Sequence, residues 1–192
     1  MARSDEVLAI FDEIQSCFSN IKTLSEPVSA AIELVGDALR VGNRVYFCGN
    51  GGSAGDAQHL AAEFLGRFQM DRAPVPAMAL TTNASTMTAI ANDYGYEQVF
   101  SRQLRGLTRA GDVVVGITTS GKSKNVIEAF KVAADFGAKT LALTGAQESP
   151  LSEIADLAIR VPSTKTARIQ EMHIAVGHVI CDRVEHELFG QS

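Results

Sequence analysis

Two turns rich in glycine and hydroxyls, and one histidine–carboxylate pair, are the places in this sequence where chemistry could be done. The first turn is Cys48-Gly-Asn-Gly-Gly-Ser53 and the second is Thr118-Thr-Ser-Gly-Lys-Ser123. Each stands between a short apolar run and a stretch of helical periodicity. Small residues there let backbone N–H groups approach an anion, and the helix N-terminus that follows favours negative charge. A phosphate monoester wants several donors and some positive potential, and the second turn adds hydroxyls to its amides. Glycine and serine also make ordinary turns and caps, which suffices for either turn alone; two such turns, each after a buried strand, point to phosphate. Two nucleotide motifs fail on spacing. The Walker glycine interval is missing before Lys122, and the three-glycine dinucleotide fingerprint is not matched from Gly49 to Gly55.

His59 and Glu63 stand four apart on a predicted helix, so they share one face. That helix follows the first turn, which puts the pair close to anything bound there. A surface His–Glu pair is the plainer account of the spacing. A second group, Gln170, Glu171, His173 and His178, lies on a long last helix whose apolar stripe includes Met172, Val176, Val179 and Ile180. His178 borders the buried side of that helix, where a hydrogen-bonded core histidine is the alternative. Carboxylate and imidazole are the side chains suited to moving protons near neutrality.

These residues need elements to hold them. Helical stripes run through Val7, Ile10, Phe11, Ile14 and Phe18, then through Val28, Ala31, Ile32, Val35 and Leu39. Ser25-Glu26-Pro27 separates them, with Ser25 as an expected cap. From there, strand and helix alternate. Strands are expected at 44–48, 76–80, 112–117, 139–144 and 157–161. Helices are expected at 57–68, 85–91, 98–107, 125–136 and 167–188. This alternation implies an α/β fold with a doubly wound, five-stranded parallel sheet covered on both faces. In such sheets ligands sit beyond the carboxyl ends of the strands, where both turns fall. No repeat or linker divides the chain, so residues 1–192 are expected to form one domain, with a helical extension over 1–40 and the α/β core over 41–192.

The 192 residues are 46% hydrophobic and 20% charged, with a formal net charge of −5. That balance suits one folded domain and gives no long-range attraction to nucleic acid or anionic lipid. Cys17, Cys48 and Cys181 form an odd, widely spaced set without metal or redox pairing, as in a reducing compartment. No apolar run is long enough to span a bilayer, and residues 1–12 lack a signal-peptide pattern. The expectation is a cytoplasmic protein with neither nucleic-acid nor membrane partners.

The motifs occur in a recognisable order: Cys48-Gly-Asn-Gly-Gly-Ser53, His59 with Glu63, Ala91-Asn-Asp-Tyr-Gly95, Thr119-Ser-Gly, and Arg168-Ile-Gln-Glu-Met-His173. In this order they resemble the phosphoheptose isomerases of the SIS (sugar isomerase) superfamily, in register from about Val41 to His178. The resemblance implies a flavodoxin-like SIS fold and isomerisation of sedoheptulose 7-phosphate to a heptose 7-phosphate through an enediol. Such a reaction moves one proton between two carbons and another between two oxygens. Glu63 and His178 are the expected catalytic pair, with roles that the sequence leaves exchangeable. The resemblance assigns phosphate to Ser53, Thr118, Ser120 and Ser123 with Thr119 nearby, and sugar hydroxyls to Asn50 and Asp93. Gly51, Gly52 and Gln170 complete the expected substrate contacts.

The resemblance also implies one zinc ion per subunit, held by His59, Glu63, Gln170 and His178, and a homotetramer with shared active sites whose interface uses the N-terminal helices. On an ideal helix Gln170 and His178 are about 80° apart, and Glu171 would align better with His178. This sequence departs from the commonest family pattern at Thr118, Lys122 and Ala167. SIS relatives that act as scaffolds for a replication initiator, or as sugar-phosphate sensors, are the competing readings. The scaffolds share the segment around Arg168 but lack counterparts of Glu63 and His178.

Overall fold

The computed structural model describes residues 2–190. The apolar runs become β1 (Val45–Gly49), β2 (Ala77–Ala79), β3 (Val113–Ile117), β4 (Lys139–Thr144) and β5 (Leu157–Arg160). All pair in parallel, side by side in the order β2-β1-β3-β4-β5. Every residue of β1 and β3 is buried, which is why these strands read as continuous apolar runs without alternation. The helices are α1 (Arg3–Asn20), α2 (Ser25–Arg40), α3 (Gly52–Leu65), α4 (Ala84–Tyr94), α5 (Ser101–Leu107), α6 (Lys124–Asp135), α7 (Pro150–Ile154) and α8 (Thr166–Phe189).

Side chains alternate across the strands, so the sheet feeds two cores. Phe47, Val113, Val115 and Leu141 face α2, α3 and α8. Tyr46, Cys48, Val114 and Ala142 face the other layer, with Leu104 from α5 and Val126 and Phe130 from α6. The chain leaves β1 for β2 on one side and returns to β3 on the other. Gly49 is paired with Ile117, so the two turns that follow emerge next to each other at this reversal of strand order.

The N-terminal helices differ from each other. α2 buries Val28, Ala31, Ile32, Val35 and Leu39 in the core, whereas α1 contributes no buried residue and leaves Val7, Leu8, Ile10 and Phe11 exposed. Two sequence expectations are corrected here. Ser25 is the first residue of α2 and its side chain caps nothing, because a 3-10 turn over Ile21–Leu24 runs straight into the helix. Val179 is not in the core stripe of α8: it is 48% exposed and lines an open apolar groove with Phe18, Leu24 and Val28. Among the described residues, no helix is long and apolar enough to cross a membrane.

Candidate active site

The first turn enters α3 through Gly51, whose φ of +57° and ψ of −120° belong to a backbone region that only glycine occupies without strain. The two turns are then tied to each other. Asn50 Nδ2 donates to Asn125 Oδ1 at 2.9 Å and Asn125 Nδ2 donates back to Asn50 Oδ1 at 2.8 Å. Asn125 is buried in the first turn of α6, and the Tyr96 hydroxyl donates to Asn50 Oδ1 at 3.1 Å. In the second turn, Thr118 Oγ1 and Ser123 Oγ are 2.9 Å apart, and the Lys122 amide donates to Ser120 Oγ at 3.2 Å.

Between the turns lies a cavity of about 150 Å³ lined by Asn50, Ser53, Thr118, Thr119, Ser120, Ser123 and Gln170. Seven residues singled out from the sequence therefore meet in one polar space. The Gln170 carboxamide reaches it across Gly52, where any Cβ would collide with it. Lys122 is exposed and lines an adjoining cleft with Thr119, Ser120, Ser163 and Thr166. Asp93 is exposed near the end of α4, accepts from Asn92 at 2.8 Å, and does not line the cavity.

His59, Glu63 and His178 come together on neighbouring helices. His59 Nε2 is 3.1 Å from Glu63 Oε1 and 2.8 Å from His178 Nε2. The helices can approach so closely because Gly177 of α8 faces Leu60 of α3; an added Cβ would stand 2.6 Å from a Leu60 methyl. Residues 60 and 177 each adjoin one of the two histidines, so their contact brings the rings together. The Phe68 ring stacks on His178 with centroids 5.5 Å apart and planes at 27°. Two imidazoles and a carboxylate, with donor atoms within 4.8 Å of one another, suit zinc, which takes such ligands at about 2.0–2.2 Å. Tetrahedral ligands at that length stand about 3.4 Å apart, so the His59–Glu63 contact needs to open by about 0.3 Å and the His59–His178 contact by about 0.6 Å. Glu171 is not part of this cluster; its Oε1 accepts from Arg168 Nη2 at 2.5 Å.

The surroundings are electrostatically uneven. Burial raises the Asp56 carboxyl, one turn before His59, against the opposing charge of His59, and its Oδ2 has no partner. Burial also pushes the Cys48 and Cys181 thiols up to about 12, which removes them as nucleophiles. His173 is fully buried. Burial pushes its pKa down to about 4, the Thr144 backbone nearby offsetting part of the effect, and neither ring nitrogen makes a hydrogen bond.

Several residues that shape the site were not singled out from the sequence. Asn125 and Tyr96 brace Asn50 from positions 75 and 46 residues away in the chain. The helix expected over 57–68 would end on Phe68, but α3 ends at Leu65 and leaves Phe68 in the coil that follows, where nothing local marks it for the site. Glu185 left one trace, a carboxylate seven residues after His178 and so on the same helical face.

Known proteins resemble this chain over nearly its whole length. A family model described as the SIS domain matches residues 10–145. The phosphoheptose isomerase of Rhodospirillum rubrum is 50% identical over 184 residues, spanning 96% of this chain and 98% of that protein. The structure of the phosphoheptose isomerase from Neisseria gonorrhoeae superposes with a TM-score of 0.90 at 44% identity, covering 95% of this chain and 98% of that one. The phosphoheptose isomerase from Francisella tularensis gives 0.93 at 35% identity, covering 97% and 100%.

Proposed function

We infer the function from one premise: the chain belongs to the SIS domain family and, within it, to the phosphoheptose isomerases. The reaction is the isomerisation of D-sedoheptulose 7-phosphate to D-glycero-D-manno-heptose 7-phosphate through an enediol, in heptose biosynthesis. The observation that carries this reading is the placement of an acid–base cluster, His59–Glu63–His178, on the helices that also bound a hydroxyl-lined anion cavity.

The phosphate occupies the cavity, where Ser53, Thr118, Ser120 and Ser123 offer hydroxyls and the N-termini of α3 and α6 offer amides and favourable dipole ends. Asn50, locked by Asn125, and Gln170 orient the sugar, with Asp93, outside the cavity lining, as a further candidate for its hydroxyls. Glu63 Oε1 faces His59, which leaves Oε2 to take the proton from one carbon and return it to the next. His178 carries the proton between the two oxygens. A base and an acid held this way contribute about 10²–10⁴-fold each. Zinc would be held by His59, Glu63 and His178, with Gln170 as the further candidate ligand, and would polarise the carbonyl as a Lewis acid.

A homotetramer fits the unshielded apolar surface. The exposed Val7, Leu8, Ile10 and Phe11 of α1, and the groove between α2 and α8 ending at Val179, are interface material of the expected kind. A cytoplasmic location is consistent with the three free thiols, and a product destined for the lipopolysaccharide core is what the family resemblance suggests.

The deciding experiment follows sedoheptulose 7-phosphate with the purified protein by NMR in deuterated water, with Glu63→Gln and His178→Gln alongside. Turnover with deuterium entering at the exchanged carbon is expected, lost in Glu63→Gln and slowed in His178→Gln. A folded, zinc-replete protein that binds the sugar phosphate without converting it would overturn the enzyme reading in favour of a scaffold or sensor.

A further inference from the structure

Beneath the His59–Glu63–His178 cluster, the loop between α3 and β2 closes around one buried carboxylate. Glu185 lies two helical turns beyond His178 on α8 and is 3% exposed. Its Oε1 accepts from the Phe68 amide at 3.0 Å and from Arg72 Nε at 2.9 Å. Its Oε2 accepts from the amides of Gln69 at 2.7 Å and Met70 at 2.9 Å. Burial alone would raise its pKa, but these donors outweigh burial and hold it below the usual carboxylate range.

Arg72 carries the connection onward to α3. Its Nη2 donates to the carbonyl oxygen of Glu63 at 2.8 Å, and its Nη1 to that of Phe64 at 2.7 Å. These belong to the last turn of α3, whose carbonyls have no amide within the helix to satisfy them. The guanidinium therefore grips the backbone of a cluster residue, while Glu185 anchors that guanidinium to the helix bearing His178. The same loop presents Phe68, whose amide Glu185 holds and whose ring stacks on His178. A buried ion pair gives little net stability compared with apolar residues of the same size. What this pair does provide is a fixed relation between two helices at the point where they carry reactive groups.

We propose that Glu185 and Arg72 are positioning residues: they set the separation of Glu63 from His178 and, through Phe68, the orientation of the His178 ring. The inference rests on the assignment of Glu63 and His178 as the working pair. Loosening the pair leaves the phosphate cavity, at the other end of both helices, intact. Loss of such a support around a metal or catalytic group typically costs 10–100-fold in affinity or activity.

The test uses the full chain with Glu185→Gln, Arg72→Lys and Phe68→Leu. Three readouts are taken: kcat and KM, zinc affinity by competition with a chelator, and the ring resonances of His178 in the zinc-free protein. Expected are a kcat lowered 10–100-fold with KM within about twofold, weakened zinc binding, and shifted His178 resonances in all three variants. Variants that only melt at lower temperature, with kcat, zinc affinity and His178 resonances unchanged, would overturn the proposal. Should Glu185→Gln not fold, Arg72→Lys and Phe68→Leu decide, since neither removes the buried carboxylate. Failure of the isomerase reading shows separately, as an inactive parent protein; the zinc and resonance measurements then still judge the positioning role.

Discussion

Lowering the pH from 8 to 5 should loosen α8 through one residue. His173 is fully buried, unpartnered at both nitrogens, and held near 4 instead of the ordinary 6.5. A folded-state pKa below the unfolded one means that the unfolded chain takes up a proton the folded chain refuses. Stability from this residue is therefore intact above about pH 6.5 and is lost as the pH falls towards 4. The full gap is worth about 3 kcal/mol, of which about 2 kcal/mol is gone by pH 5. Against the 5–15 kcal/mol stability of a typical domain, that loss is easily measured. Urea unfolding followed by circular dichroism at fixed protein concentration, at pH 8, 7, 6 and 5, gives the slope. His173→Leu is the control: it removes the titrating ring and its unpaired nitrogens, so it should match or exceed the parent at pH 8 and lose about 2 kcal/mol less by pH 5. Equal losses in parent and variant would refute the reasoning.

Asn125→Ala should leave the Asn50 carboxamide half-paired and cost about 2–3 kcal/mol in stability, with KM for the sugar phosphate rising more than kcat falls; calorimetry and steady-state kinetics check both. Gly51→Ala forces a side chain into a backbone region it avoids, at about 1–3 kcal/mol, and inorganic phosphate should bind more weakly by titration calorimetry. Lys122→Asn should raise KM severalfold at low salt and flatten its dependence on ionic strength, because an exposed charge acts mainly through a screened field. Stripping zinc with a chelator should lower the melting temperature, and stoichiometric zinc should restore it; identical melting curves would count against a metal at the cluster.

Much of this architecture is legible in the sequence because it rests on local patterns. β4 spans the expected 139–144, and α6 and α8 lie within a residue of expectation, since strong periodicity fixes element type. Boundaries slip where tertiary contacts decide them. The expected helix over 98–107 is a 3-10 turn at Tyr96–Gln98 followed by α5 from Ser101. α3 begins at Gly52, not 57, because its first turn is glycine and serine, residues that carry no apolar stripe. The short α7 has too few residues for a period and was not expected. At the site, the turns are readable from composition and the shared face of His59 and Glu63 from spacing, whereas the roles of Glu63 and His178 come only with the family resemblance. The contacts of Asn125 with Asn50, of Phe68 with His178 and of Arg72 with Glu185 cross long intervals of chain, and no local pattern encodes them.

The strand reversal between β1 and β3 has an energetic corollary. α3 belongs to one layer of the protein and α6 to the other, yet both begin at the same cavity. An anion seated there bonds to both layers at once and so, with the Asn50–Asn125 pair, cross-links the two hydrophobic cores that flank the sheet. Its binding energy is then shared by the whole molecule. At a hundredfold excess over the dissociation constant, a ligand specific to the folded state adds about 2.7 kcal/mol to stability. Neither core should unfold ahead of the other while the ligand stays bound.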